Sequence, residues 1–124
     1  MWKEINSEQV PEAIGPYSHG VEVGNLVITS GQLPINADTG EIPASASEQA
    51  RMSLENVKST LEAGGTGMNN VVKTTIFVSD LSHFSAINEV YATYFHKSYP
   101  ARSCVEVARL PKDVFVEIEA TAVK

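Results

Sequence analysis

Residues 100–119 of the chain read PARSCVEVARLPKDVFVEIE. β-Branched and polar residues alternate along 102–108 and again along 114–119, which predicts two strands. The Leu-Pro-Lys-Asp segment at 110–113 predicts the turn that connects them, since proline and aspartate favour turns. The fold is therefore expected to contain a sheet that these two strands help to build.

The polar side chains of these two strands are candidates for a binding site. Alternation places Arg102, Cys104 and Glu106 on one face of the first strand. Arg102 closely follows Pro100, at the predicted rim of the sheet, and its guanidinium is a rigid fork that matches a carboxylate. If the two strands are neighbours, Arg102 and Glu117 could flank one small cleft. The ordinary alternatives are an exposed arginine and a solvated glutamate.

Upstream segments predict a hairpin and a helix. Gly24-Asn25 is a turn pair between the alternating segments 18–23 and 26–30. Ser45-Ala-Ser-Glu48 has the form of a capping box, and apolar residues recur at helical spacing from 46 to 61. Gly64-Gly65 is expected to end this helix.

The middle of the chain predicts an inner strand and a second helix. Residues 70–78 are β-branched on both faces, which is typical of a strand inside a sheet. Asp80 or Ser82 is expected to cap a helix that ends before Pro100. The apolar side of this helix is formed by Phe84, Ile87, Tyr91, Tyr94 and Phe95. Residues 1–4 fit either an edge strand or a segment packed against the core.

This order of elements predicts one α+β domain over residues 1–124, in which a mixed β-sheet carries two helices on one face. The uncovered face is expected to carry Val71, Lys73, Thr75, Phe77, Phe115, Glu117 and Glu119. Aromatic side chains in water are unfavourable, at roughly 25 cal/mol per Å² of apolar area. The uncovered face is therefore a predicted subunit contact.

Composition excludes several classes of protein. A net charge of −6 without a basic stripe disfavours a nucleic-acid binder. No apolar run is long enough for a membrane span, and the N-terminus lacks the pattern of a signal peptide. The single cysteine, Cys104, fits a reducing compartment, so a cytoplasmic location is expected. His19, His83 and His96 lack the spacing of metal ligands.

Four separated segments resemble the RidA (YjgF-type) family of reactive intermediate imine and enamine deaminases. They are IGPYS at 14–18, ITSGQ at 28–32, VKTTIFV at 72–78, and ARSCV with the following LP and VEI at 101–118. Their order and spacing match the family over nearly the whole chain. The resemblance implies a chorismate-mutase-like fold and a homotrimer whose sheets form a central barrel, with active sites in the clefts between subunits.

The resemblance also implies an activity. Small 2-imino acids or enamines, such as 2-iminobutanoate and 2-iminopropanoate, would be hydrolysed to 2-keto acids and ammonia. This would clear reactive intermediates that pyridoxal-phosphate enzymes release. The implied ligand is a small carboxylate-bearing imine or keto acid. No cofactor, nucleic acid or membrane is implied.

The same resemblance assigns roles to individual residues. Arg102 would anchor the substrate carboxylate, and Glu117 would hold or activate a water molecule beside the imine. Cys104 would contribute its main chain, and a thiol nucleophile is not expected because no histidine is near it in sequence. Substrate binding is implied for Tyr17, Gly31, Asn88, Arg102 and Cys104.

Other functions fit parts of the same pattern. A non-catalytic metabolite-binding or regulatory protein could use the same arginine, and a holdase-type chaperone would need exposed apolar surface instead. A ribonuclease or translation inhibitor is disfavoured by the acidic balance. A chorismate mutase would need more cationic residues around its dianionic substrate.

Overall fold

The computed structural model describes residues 1–96 and 98–124. Its strands are β1 (Trp2–Ile5), β2 (Gly20–Val23), β3 (Leu26–Thr29), β4 (Val71–Val78), β5 (Ala101–Glu106) and β6 (Val116–Val123). Its α-helices are α1 (Ala46–Ala63) and α2 (Phe84–Ala92). Within these described ranges, no helix is both long and apolar enough to cross a membrane.

The strands form one mixed sheet in the order β1-β2-β3-β6-β4-β5. β4 and β5 are parallel, and the other neighbouring pairs are antiparallel. Both helices cover the same face, where Thr60 of α1 lies against Gly20 and Tyr91 of α2 bonds to Thr74. The predicted α+β arrangement of one mixed sheet and two helices is confirmed.

The predicted hairpin is present as β2 and β3, and Gly24 at its turn has a φ of 57°, in the left-handed region that suits glycine. The first residues of the chain form an edge strand, since β1 pairs with β2 from Trp2 to Ile5. Of the two alternatives for this segment, the edge strand is therefore the one that forms.

Helix α1 begins where the capping box predicts. The Ser45 hydroxyl accepts a hydrogen bond from the backbone N–H of Glu48 at 3.2 Å. Leu54, Val57 and Leu61 on its inner face are completely buried against the sheet. Burial of such side chains stabilises the fold by about 1.5–3 kcal/mol each.

Helix α2 is shorter than its apolar pattern predicts. Asp80, not Ser82, is the capping side chain, but it caps the 3₁₀ turn (Leu81–His83) that leads into the helix, where it accepts from the Ser82 N–H. The α-helix itself begins at Phe84 without a side-chain cap. The helix ends at Ala92, where the Thr93 hydroxyl donates to the Val90 carbonyl oxygen at 2.6 Å. Phe95 lies beyond this end and is still buried, with its ring centroid 4.8 Å from that of Tyr91.

The two strands of residues 100–119 are not neighbours, because β4 lies between β5 and β6. The connection between them passes over the end of β4, where the Val107 N–H donates to the Val78 carbonyl and the Ser79 N–H to the Phe115 carbonyl. Its turn contains Lys112 and Asp113, both with positive φ. β6 then continues to Val123, beyond the predicted end at residue 119.

The uncovered face of the sheet differs from the prediction at two residues. Val71 is buried in the core, because the pairing of β4 with β6 is irregular between Val71 and Lys73 and turns its side chain inward. Phe115 packs against the core, with its ring centroid 4.7 Å from that of His83. Phe77 remains on the uncovered face, opposite Glu117.

Candidate active site

Arg102 lies at the start of the edge strand β5, and its guanidinium rests against helix α2. One N–H of the guanidinium donates to Oδ1 of Asn88 at 2.6 Å. The ion pairs formed among the described residues do not include Arg102. The side chain is therefore oriented by a neutral amide, and its positive charge is left for an external anion.

Two aromatic rings flank the same guanidinium. Its central carbon lies 4.9 Å from the ring centroid of Tyr91 and 5.4 Å from that of Phe84. Both distances are within the range of cation–π attraction. The sequence placed both aromatic residues on the apolar side of α2, but their contact with Arg102 was not predicted. The signal was present, because residues 84, 88 and 91 recur at helical spacing.

A shallow apolar groove opens beside Arg102. Its lining is formed by Leu81, Phe84, Arg102 and Cys104. Burial raises the pKa of the Cys104 thiol, while the charge of Arg102 lowers it by less. The net rise in pKa disfavours a thiolate, so the Cys104 side chain lines the groove as a neutral thiol and not as a nucleophile.

Glu117 lies on the uncovered face of the sheet, between the buried residues Val116 and Ile118 of β6. Burial, and then the charge of Glu119, raise the pKa of its carboxyl group. A raised pKa makes a carboxylate a better proton acceptor than an ordinary glutamate.

Gly31 provides the space in which the Glu117 carboxyl group lies. A Cβ atom at Gly31 would be 2.8 Å from Cδ of Glu117, closer than real contacts allow. The neighbouring residue Gln32 keeps Gly31 close to Glu117, because its backbone N–H and carbonyl group pair with those of Ile118. The glycine that the sequence singled out therefore permits close approach of a carboxylate.

Tyr17 and Gly31 line one small cavity on the loop side of the sheet. Two buried polar residues, His19 and Gln32, also line this cavity, and Gln32 belongs to the segment 28–32 that the resemblance placed beside the site. His19 accepts a hydrogen bond from the Ser7 N–H at Nδ1, and its carbonyl oxygen accepts from the Gln32 side chain. The role of His19 has no signal in the sequence, since its ring accepts from a backbone group twelve residues away.

The predicted site residues thus form two groups in one chain. Arg102, Asn88 and Cys104 share the helix-covered side, whereas Tyr17, Gly31 and Glu117 belong to the other group. Arg102 pairs with Thr74 of β4, and Glu117 pairs with Phe77 across the opposite edge of that strand. Three residues along a strand span about 10 Å. Within a single chain, Arg102 and Glu117 therefore do not flank one cleft, because β4 separates their strands and their side chains leave opposite faces.

Metal ligands do not cluster in this region. Across residues 1–96 and 98–124, no group of three His, Cys, Asp or Glu side chains could hold a metal ion. The guanidinium of Arg102 can bind a carboxylate, and the carboxyl group of Glu117 can transfer a proton.

The fold and this site define a class of small α+β proteins with solved structures. The crystal structure of Escherichia coli TdcF with bound serine superposes with a TM-score of 0.95, at 52% identity over 98% of both chains. The chain is also 55% identical to the 2-iminobutanoate/2-iminopropanoate deaminase of Escherichia coli K12, over 100% of this chain and 99% of that protein. A putative reactive intermediate deaminase of the same organism is 53% identical, over 100% and 98%.

The family described as endoribonuclease L-PSP matches residues 7–124. The chain belongs to this family, which is the YjgF/RidA family, and the resemblance carried by the four sequence segments is confirmed.

Proposed function

We propose that this protein hydrolyses small 2-imino acids, such as 2-iminobutanoate and 2-iminopropanoate, and their enamine tautomers to 2-keto acids and ammonia. The observation that carries the proposal is Arg102, an oriented guanidinium beside an apolar groove that forms no ion pair with the described carboxylates. Relatives that are 53–55% identical over the whole chain are named for deamination of such intermediates, which supports the same reaction.

The reaction asks for one anchor and one proton carrier. Arg102 binds the substrate carboxylate, and water adds to the carbon of the protonated imine while Glu117 accepts a proton from that water. Glu117 then returns the proton to the nitrogen of the carbinolamine. The C–N bond breaks, ammonia leaves, and the hydroxyl proton passes back to Glu117 and on to solvent as the C=O bond forms. Positioning and acid–base help of this kind are sufficient, since free imines already hydrolyse in water.

The reacting groups meet, in this proposal, between two copies of the chain. Arg102 of one copy and Glu117 of the next would face the same substrate, since they lie on opposite sides of the sheet in each copy. Exposed apolar side chains on the uncovered face support a homotrimer with a central barrel. Val23 and Ile28 are each 38% exposed and Val105 is 44% exposed.

An assay of coupled turnover tests the activity. Threonine dehydratase generates 2-iminobutanoate, and formation of 2-oxobutanoate is followed with and without the protein. Acceleration is expected from the wild type, and most of it should disappear in Arg102→Lys, which keeps the charge but loses the fork. Binding of 2-oxobutanoate without acceleration would instead identify a metabolite-binding protein.

A mixing experiment tests the shared site. Arg102→Ala and Glu117→Gln are each expected to keep at most about a hundredth of wild-type activity, whereas trimers reassembled from equal amounts of both should regain about a quarter of it, because one cleft in four receives both intact groups. Trimers that stay inactive after mixing would show that Arg102 and Glu117 of different copies do not share a cleft.

Redox chemistry indicates the cellular location, and net charge opposes the alternative ribonuclease activity. We expect the reaction to occur in the cytoplasm, where a lone thiol such as Cys104 stays reduced. RNA cleavage is not proposed, because a net charge of −6 opposes binding of a phosphate backbone.

A further inference from the structure

We propose that Tyr91 is a positioning residue that fixes the guanidinium of Arg102 for the substrate carboxylate. The inference rests on the proposed function, in which Arg102 is the anchor. Tyr91 itself is only 4% exposed and would not contact the substrate. It would act through the face of its ring, which lies 4.9 Å from the central carbon of the guanidinium.

The Tyr91 ring is held from below by a buried hydrogen bond. Its hydroxyl group lies 2.7 Å from Oγ1 of Thr74, a residue that is 1% exposed. Thr74 is also the β4 residue that pairs with Arg102 in the sheet. Thr74 therefore helps to position both groups, because its side chain bonds to the Tyr91 hydroxyl group and its backbone pairs with that of Arg102.

Asn88 and Phe84 do not make Tyr91 redundant. Asn88 is bound to one guanidinium nitrogen, Nη1, and a single hydrogen bond leaves the plane of the group free to rotate about it. The Phe84 centroid is further from the guanidinium, at 5.4 Å, and Phe84 has no hydroxyl group to fix its ring. Tyr91 combines the shorter contact with a ring that is itself anchored.

The test compares substitutions that remove the ring with substitutions that remove only the hydrogen bond. Tyr91→Leu should raise KM for 2-iminobutanoate, and Kd for 2-oxobutanoate, about fivefold, as expected for the loss of one cation–π contact. The kcat should stay within about twofold, since the proton carrier is untouched. Tyr91→Phe and Thr74→Val should each raise KM by only about twofold, because the ring remains.

Tyr94 offers a matched control. It lies three residues after Tyr91, and its hydroxyl group donates to Glu55 at 2.6 Å, away from Arg102. Tyr94→Leu should lower thermal stability as Tyr91→Leu does, but it should leave KM unchanged. Equal KM values for the two leucine variants would overturn the proposal and reduce Tyr91 to a packing residue.

A double-mutant cycle shows whether Tyr91 acts through Arg102. In the Arg102→Gln background, which removes the cation, Tyr91→Leu should change kcat/KM by less than about twofold, since the group that it positions is absent. A fivefold loss that persists in this background would overturn the proposal. If Tyr91→Leu does not fold, Tyr91→Phe and Thr74→Val provide the test instead. Each should raise KM by the same small factor, and the double variant should raise KM no further.

Failure of the proposed function would be recognised separately. A wild-type protein that binds 2-oxobutanoate through Arg102 without accelerating deamination would refute the activity. The Kd series would still decide the role of Tyr91. A Kd that is identical in the wild type and Tyr91→Leu would refute the positioning role alone.

Discussion

Arg102 and Glu117 are bound to the same strand from opposite edges, and their side chains leave opposite faces of the sheet. Arg102 is paired with Thr74 of β4, and Glu117 with Phe77 of the same strand. Each chain therefore presents the Arg102 guanidinium on one side and the Glu117 carboxyl group on the other, which are the carboxylate anchor and the proton carrier of the proposed mechanism. In the proposed assembly, every chain takes part in two clefts.

Glu117→Gln should remove the proton carrier of the proposed mechanism. We expect kcat to fall by about 10²-fold with little change in KM, because general acid–base help of this size is typical and Arg102 still binds the carboxylate. Steady-state kinetics with 2-iminobutanoate measures both constants. Unchanged kcat in the folded variant would assign the proton transfer to another group.

The charge of Glu119 should affect the pKa of the Glu117 carboxyl group. Glu119 contributes to the raised pKa of the Glu117 carboxyl group, after burial. Glu119→Gln should therefore lower that pKa, and the acid limb of the kcat/KM profile should move to lower pH while the plateau keeps its height. An acid limb that does not move would show that it reports a group other than Glu117.

The same raised pKa predicts how stability depends on pH. The folded chain holds the Glu117 proton more tightly than the unfolded chain does. Protonation of Glu117 therefore stabilises the fold, and this stabilisation is complete below the unfolded pKa and is lost as pH rises through the folded pKa. In Glu117→Gln, the free energy of unfolding should fall less over that interval. Urea denaturation across the acid range, with the wild type in parallel, measures the difference.

Gly31→Ala should disturb Glu117 without any change at Glu117 itself. The added methyl group would stand 2.8 Å from Cδ of Glu117 and displace the carboxyl group, so we expect kcat to fall at least about tenfold. Gly67→Ala is the matched control, because nothing lies within 4 Å of its added carbon and its φ of −166° is extended backbone. Equal activity of the two variants would separate Gly31 from catalysis.

Cys104→Ser should keep activity within about twofold, because the thiol has a raised pKa and no role as a nucleophile in the proposed mechanism. Alkylation of the wild type by iodoacetamide should be slow at neutral pH. Once alkylated, the protein should lose activity, since Cys104 lines the groove beside Arg102. A serine variant that folds but is inactive would indicate thiol chemistry.

Several elements follow directly from local sequence. The capping box at Ser45 begins α1, and Gly24-Asn25 turns the hairpin, because both signals act between residues a few positions apart. Alternation along β6 also predicts correctly that Glu117 leaves the face opposite to Val116 and Ile118. These features depend on periodicity and turn chemistry, which a single sequence contains.

The strand order is a different kind of information. Nothing within residues 100–119 indicates that β6 inserts between β3 and β4, since that choice is made by contacts with residues 26–29 and 71–78. The irregular pairing near Val71 and the stacking of Phe115 on His83 are likewise tertiary effects. For the same reason, the sequence named both Arg102 and Glu117 but could not show that they are kept apart.

The edge-to-edge separation of Arg102 and Glu117 has a consequence for the living cell. If neither half can work alone, catalytic power belongs to the contact between polypeptides and not to any one of them. A sufficiently dilute solution would then hold intact, correctly folded and inert chains, and output would rise more steeply than the amount of protein synthesised.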